Sequence, residues 1–217
     1  MFKIIQFTGN VAVIEQATLF MYRRQYFMKN KKTDHRSKYT QMVVKQALLK
    51  LLAEKPLNKI GVSELCLSAE VGRGTFYNHF YDVYDVYEST ENDFYDEIKT
   101  KLENIKSHDI DRPFFKEIML LIYKNADLAR LIVNNKNNSD LLKRIIEFVR
   151  NKFIEEWSET FKGHSLGFFN NVFSYITNGS IGIIADWIYS DMRDSLDEIA
   201  VIIAELNELV INTYLKS

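Results

Sequence analysis

The chain has 217 residues, 47% of them hydrophobic, and a formal net charge of -1. That is enough apolar material for a full core, in one domain or in a small domain joined to a larger one. Two prolines and eight glycines leave few turns and favour an all-α chain. One cysteine, Cys66, excludes an intrachain disulfide and fits a reducing cytoplasm. The small net charge hides a sorting of signs. Residues 29–80 hold ten Lys and Arg against four acids, whereas residues 81–217 hold fifteen against twenty-four. A basic front on an acidic body is the footprint of a polyanion contacted at one end. Ordinary surface solvation, the plainer reading, would not sort the signs by segment.

Residues 1–28 read as an N-terminal extension. Val11, Val13, Ile14, Ala17, Leu19 and Phe20 are apolar, but Asn10, Glu15 and Gln16 interrupt them. The run is too short and too polar for a membrane span, which needs about 20 apolar residues. It also lacks the cleavage site of a secretory signal. Met28 directly precedes the basic stretch and is the expected natural start; the alternative is an arm helix that packs on the body. Residues 29–38, KNKKTDHRSK, form a basic arm of the kind that lies along phosphates or reaches a minor groove. A solvated tail is the competing reading.

The first strong helix covers residues 36–54. Val43, Val44, Ala47, Leu48, Leu51 and Leu52 keep the three-four spacing of a buried stripe. Pro56 ends it, and Ile60 and Val62 enter a small core. Residues 62–80, VSELCLSAEVGRGTFYNHF, then hold two short helical patterns with almost no room between them. Leu65, Cys66 and Ala69 give the first an apolar face, and Ser63 is its expected cap. Glu70, Val71 and Gly72 form the turn, and the second helix runs from Arg73 to near His79. Two helices joined this tightly form the frame of a helix-turn-helix, whose second helix enters the major groove. Its outward positions, Arg73, Thr75, Asn78 and His79, are cationic or hydrogen-bonding. Phe76 and Phe80, four apart, share the inward face. Gly74 lets phosphate or base approach the backbone. Tyr77 offers a ring and a hydroxyl to a phosphate or a thymine methyl. A helical corner that merely packs has the same spacing, and spacing alone does not separate the two.

The residue identities do. RGTFYNHF, preceded by Ala69-x-Val71, resembles the DNA-binding signature of TetR-type transcriptional regulators over about residues 36–87. Cys66, the run Arg73 to Tyr77 and the following YDVYDVYE are similar to a branch that includes regulators of dihydroxyacetone kinase operons. Three positions depart from the pattern. Glu70 stands at the usual turn glycine, Gly72 at the usual Ser or Thr before the arginine, and Val83 at a lysine that commonly touches phosphate. The resemblance implies a three-helix DNA-binding module over 36–96, with its helix-turn-helix at 61–80. It implies a regulatory and dimerisation domain over 97–217, giving about nine helices in all. DNA contacts are expected from Arg73, Gly74, Thr75, Tyr77, Asn78 and His79, with phosphate contacts from Lys38, Tyr39, Thr40 and Ser63.

Downstream, Tyr81, Tyr84 and Tyr87 open a long helix to about Ile105, with Phe94, Ile98, Leu102 and Ile105 on its core face. It leaves the DNA module and enters the body, so it is the natural lever between them. Pro113 suits the first turn of a new helix; residues 114–123 and 126–133 read as two shorter helices, and 134–139 as a loop. Residues 140–161 form a helix with Leu141, Leu142, Ile145, Ile146, Val149, Phe153 and Trp157 inside. Residues 166–189 are aromatic-rich and contain Gly179 and Gly182. A helical glycine costs about 1 kcal/mol against alanine and is expected where another backbone comes close. Residues 195–214 form the last amphipathic helix. In the family resembled, the last two helices of each subunit join as a four-helix dimer interface, here about 165–190 and 195–215.

No catalytic constellation emerges. His35, His79, His108 and His164 are scattered, one cysteine builds no closed metal site, and no glycine loop follows a strand. No enzyme activity, cofactor or metal is therefore expected. Tyr95, Tyr123, Phe148, Trp157, Phe169 and Phe173 are candidates to line an effector cavity, but their helical spacing makes plain core the preferred reading. The chain is expected to be a cytoplasmic homodimer that binds double-stranded DNA at a near-palindromic operator. It would repress adjacent genes until relieved by a small-molecule effector or a partner protein, without contact with a membrane. The competing reading is a helical adaptor that works through a partner protein held on its acidic body.

Overall fold

The computed structural model describes residues 35–103, 105, 112–134 and 139–215. The extension, most of the basic arm and His108 lie outside them. Among the described residues there are nine α-helices and no strand. α1 (His35–Glu54), α2 (Val62–Ser68) and α3 (Arg73–Tyr77) form the front, with a 3-10 turn at Leu57–Lys59. α4 (Val83–Glu103) leads to α5 (Arg112–Lys124), α6 (Ala126–Asn134), α7 (Asp140–Thr160), α8 (Leu166–Tyr189) and α9 (Leu196–Tyr214).

Two cores organise these helices, and α4 belongs to both. Val44 and Leu48 of α1 are buried with Leu65, Phe76 and Phe80 in a small front core, which Val83 and Val86 of α4 complete. Further along the same helix, Phe94, Ile98 and Leu102 enter the core of the body with Met119, Leu128 and Ile203. A third cluster joins α7 to α8, with Phe153 and Trp157 packed against Phe169 and Phe173. α1 and α4 are further tied by Lys45, whose ammonium donates to the Ser89 carbonyl at 3.2 Å and pairs with Asp93. On the body, Lys116 of α5 pairs with Asp197 of α9 at 2.8 Å, and Arg112 pairs with Glu205.

Local chemistry sets the helix ends. Ser139 caps α7 and Ser165 caps α8, each hydroxyl accepting a backbone N–H at 3.2 Å. At α9 the Ser195 N–H donates to the Glu198 carboxylate at 3.3 Å, one half of a capping box. Ser63 does not cap α2. The cap is Gly61, in extended backbone, and Ser63 lies inside the helix. Burial of Ile60 just before it fixes where the chain enters the core, and so brings the helix start forward. α2 ends in a left-handed turn at Glu70, φ 53°. The Glu70 N–H donates to Leu67 O at 3.2 Å and the Val71 N–H to Cys66 O at 2.9 Å, the paired bonds of a Schellman motif. α8 ends the same way, with Asp191 and Met192 at φ 62° and 55°.

Gly179 and Gly182 do not mark a close backbone among the described residues. A Cβ at either position would meet no atom within 4 Å. No helix among the described residues is long and apolar enough to cross a membrane.

Candidate nucleic-acid interface

α3 is five residues long, too short to persist by itself. It is held from below. Phe76 and Phe80 are fully buried, their ring centroids 5.8 Å apart, and Tyr77 meets Phe76 edge-on at 5.4 Å. The preceding left-handed turn sets its direction. Gly72 starts it without a side-chain cap, and the Phe76 N–H donates to Gly72 O at 2.9 Å. With one face pinned, the other is presented outward: Arg73, Gly74, Thr75, Tyr77 and Asn78 are all exposed. Nothing lies within 4 Å of a Cβ at Gly74, so the surface there is open.

His79 departs from its expected outward position. It is half-buried, and its imidazole pairs with the Ser37 hydroxyl at 3.4 Å. At the end of a five-residue helix the chain is already turning inward toward Phe80, and the ring follows it. The contact brings the first turn of α1 beside the end of α3. Lys38 and Tyr39, the next two residues of α1, are exposed. Thr40 is half-buried, and its hydroxyl donates back to the Arg36 carbonyl at 3.0 Å. Ser63 is exposed on α2.

Val83 is buried at the start of α4, so its side chain reaches no surface. On either side of it Tyr81 and Tyr84 are exposed. Sequence reasoning treated these tyrosines as a cluster and gave them no role at this surface. The signal was available: the Asp82 carboxylate accepts the Asp85 N–H at 2.9 Å, a cap that fixes which positions of α4 turn outward. Beneath the exposed face, burial pushes the Cys66 thiol up, and the positive charge of Arg73 partly offsets this. The thiol stays protonated and inert at neutral pH.

The candidate effector residues of the body do not converge. Trp157 and Phe173 line a cavity of about 240 Å³, bounded also by Phe94 and Ile98 of α4, Ile145 of α7 and Ile184 of α8. Tyr95 instead meets Phe148 edge-on at 6.4 Å, under the Arg144 guanidinium. Phe169 packs on Trp157, and Tyr123 is exposed. Sequence reasoning missed the aliphatic wall. A half-buried isoleucine facing a void has the same helical spacing as one facing a neighbour.

Residues 111–208 match the TetR-type family described as Transcriptional regulator C-terminal region. No curated protein matches the chain significantly in sequence. Among solved structures, the dihydroxyacetone kinase operon activator DhaS is similar at 19% identity and a TM-score of 0.58, covering 81% of this chain and 98% of its own. The fatty acid degradation regulator FadR from Bacillus halodurans is similar at 18% identity and a TM-score of 0.56, covering 82% and 96%. A TetR-family protein from Syntrophomonas wolfei is similar at 17% and 0.54, covering 80% and 96%. At such identities these are likenesses of fold. In sequence over residues 111–208 and in fold over its described residues, the chain is similar to the TetR-type transcriptional regulators.

Proposed function

We propose that the chain is a cytoplasmic, dimeric repressor that reads a near-palindromic operator beside the genes it controls. One observation carries the reading. α3 and the residues that follow it bury Phe76 and Phe80 and leave Arg73, Thr75, Tyr77 and Asn78 exposed. That face offers a fork donor, a hydroxyl, a phenol and an amide, the groups that recognise base edges and phosphates. Lys38 and Tyr39 add phosphate contacts, and Thr40, Ser63 and His79 serve from the edge. The module spans residues 36–96, and residues 97–217 regulate and dimerise.

A single reading helix spans too few base pairs to select a site in a genome, so pairing is part of the function. Exposed Ile202, Leu206 and Leu209 lie along one side of α9, and exposed Tyr175 lies on α8. They support a homodimer through the last two helices.

Selection of bound fragments from the source genome tests the proposal. A palindromic consensus is expected, with affinity falling steeply as salt rises because phosphate contacts release counterions. Arg73→Ala should then cost about 1–3 kcal/mol of binding and relax preference at one base position. Salt-insensitive or undetectable binding would favour the adaptor that works through a partner protein. Because the similar DhaS is an operon activator, a reporter driven from the selected site decides the sign: repression is expected, and activation would reverse it.

A further inference from the structure

We infer, building on the dimeric regulator reading, that Lys45 and Arg144 fix how the front module sits on the body and so set the half-site spacing of the operator. They grip α4 where its two cores meet. α4 gives Val86 to the front core and Phe94 to the body core. Between them, residues 88–93 read ESTEND, every one polar or charged. Apolar burial is non-directional, whereas a hydrogen bond weakens steeply once it is bent. Polar contacts at this junction therefore hold the angle between the two cores as well as their separation.

Lys45 of α1 supplies one grip. Its side chain is 12% exposed, and its ammonium donates to the Ser89 carbonyl at 3.2 Å and pairs with Asp93. Leu49, four residues on and so on the same face of α1, packs against the body core. Arg144 of α7 supplies the other grip. Its guanidinium donates to the Asn92 side-chain carbonyl at 3.0 Å and lies 4.4 Å over the Tyr95 ring. It also faces Glu91, whose carboxylate accepts from the Tyr87 hydroxyl. Tyr87 packs on the front core and Tyr95 on the body core. Thr90, the buried member of the run, is satisfied within α4 by the Val86 carbonyl at 2.8 Å. The polar run is thus tied across the junction by a lysine on one side and an arginine on the other.

In a dimer joined through the body, the angle of each front decides how far apart the two copies of α3 stand. Successive base pairs rise about 3.4 Å, so preference for one spacing needs each α3 held to about half that. An operator one base pair too long or too short then strains the duplex or the grips. Lys45 and Arg144 are positioning residues: neither belongs to α3 or to the DNA contacts named above.

Operators made from the selected genomic fragments, with spacers one base pair longer or shorter, test this with the full chain. The parent should prefer the selected spacing about tenfold. Lys45→Met and Arg144→Met should each shrink that preference to about threefold or less. Binding to a single half-site should stay within about twofold, since both residues lie away from the contacts. Arg144 is exposed, so its removal leaves both cores intact. Lys101→Met removes a pair with Glu117 at 3.0 Å inside the body and should keep the parent's preference. A spin label on Leu67→Cys, at an exposed position of α2, reports the distance between the two fronts without DNA. Cys66 is buried and stays unlabelled. The distance distribution should be narrow in the parent and broader in both variants. The inference is overturned if either folded variant keeps the parent's spacing preference or its narrow distribution. It is also overturned if single-half-site binding falls in step, or if Lys101→Met relaxes the spacing too. A chain that pairs but holds no DNA would sink the operator reading and leave the label distances to judge the two grips. A chain without coupling between labels would sink the pairing, and the inference with it.

Discussion

At Glu70 the backbone adopts φ 53°, a conformation that costs an L side chain about 1–2 kcal/mol. The turn between α2 and α3 needs it, because the two bonds back to Cys66 and Leu67 close only with a left-handed residue there. Glu70→Gly removes the clash and gives back part of the gain in chain entropy. A net stabilisation of about 1 kcal/mol is expected in urea unfolding; a loss would mean that the Glu70 side chain holds something the turn depends on. A second residue-scale effect lies between the front and the body. Burial pushes the Glu91 carboxyl up, against the pull of the Tyr87 hydrogen bond and the Arg144 charge. Folded Glu91 therefore keeps its proton above the ordinary value of 4.5, where the unfolded chain has already lost it. The folded state binds more protons in that window, so this group's contribution to stability falls as pH rises through it. Glu91→Gln has no proton to lose. Its stability relative to the parent should climb as pH is raised from 4.5 through the window and then level off; a constant difference across that range would refute the shift.

α8 raises the question at the scale of the element. Its glycines sit in a helix whose neighbours among the described residues leave room for a methyl group at both positions. Helix propensity alone predicts that Gly179→Ala stabilises an isolated subunit by about 1 kcal/mol. The glycine is explained if a second copy brings its own backbone there. Gly179→Ala should then weaken dimerisation, seen as a higher dissociation constant in sedimentation, while the helix gains stability. A variant that gains stability with unchanged dimerisation would remove α8 glycine packing from the interface. α4 is the other element with a double role. Val86 serves one core and Phe94 the other, two turns along the same helix.

In the proposed regulator, pairing and reading stand together. Leu209 is exposed on α9, whereas Ile203 of the same helix is fully buried. Leu209→Glu should leave helical content unchanged, give a monomer by light scattering, and lower operator affinity at nanomolar protein, because half a site is contacted. A variant that remains dimeric would move the interface elsewhere.

How much of this was legible beforehand follows from what each feature depends on. The α1 stripe, the Phe76–Phe80 pair, the boundaries of α8 and the exposed face of α3 depend on local periodicity, and periodicity is written along the chain. Ser63 misled because side-chain chemistry suggested a cap while burial of Ile60 set the entry point. His79 misled because its orientation is decided by Ser37, forty-two residues away. The cavity was hidden for a related reason: Ile145 and Ile184 have the pattern of core, and only the spacing between helices says whether atoms or a void stand opposite. Helix order and the chemistry of α3 were thus determined by the residues themselves, through hydrogen bonds and faces that close within a few turns. The cavity beside α4 and the exposed apolar side of α9 were decided only by tertiary packing, because each is a relation between helices that no single stretch of chain contains.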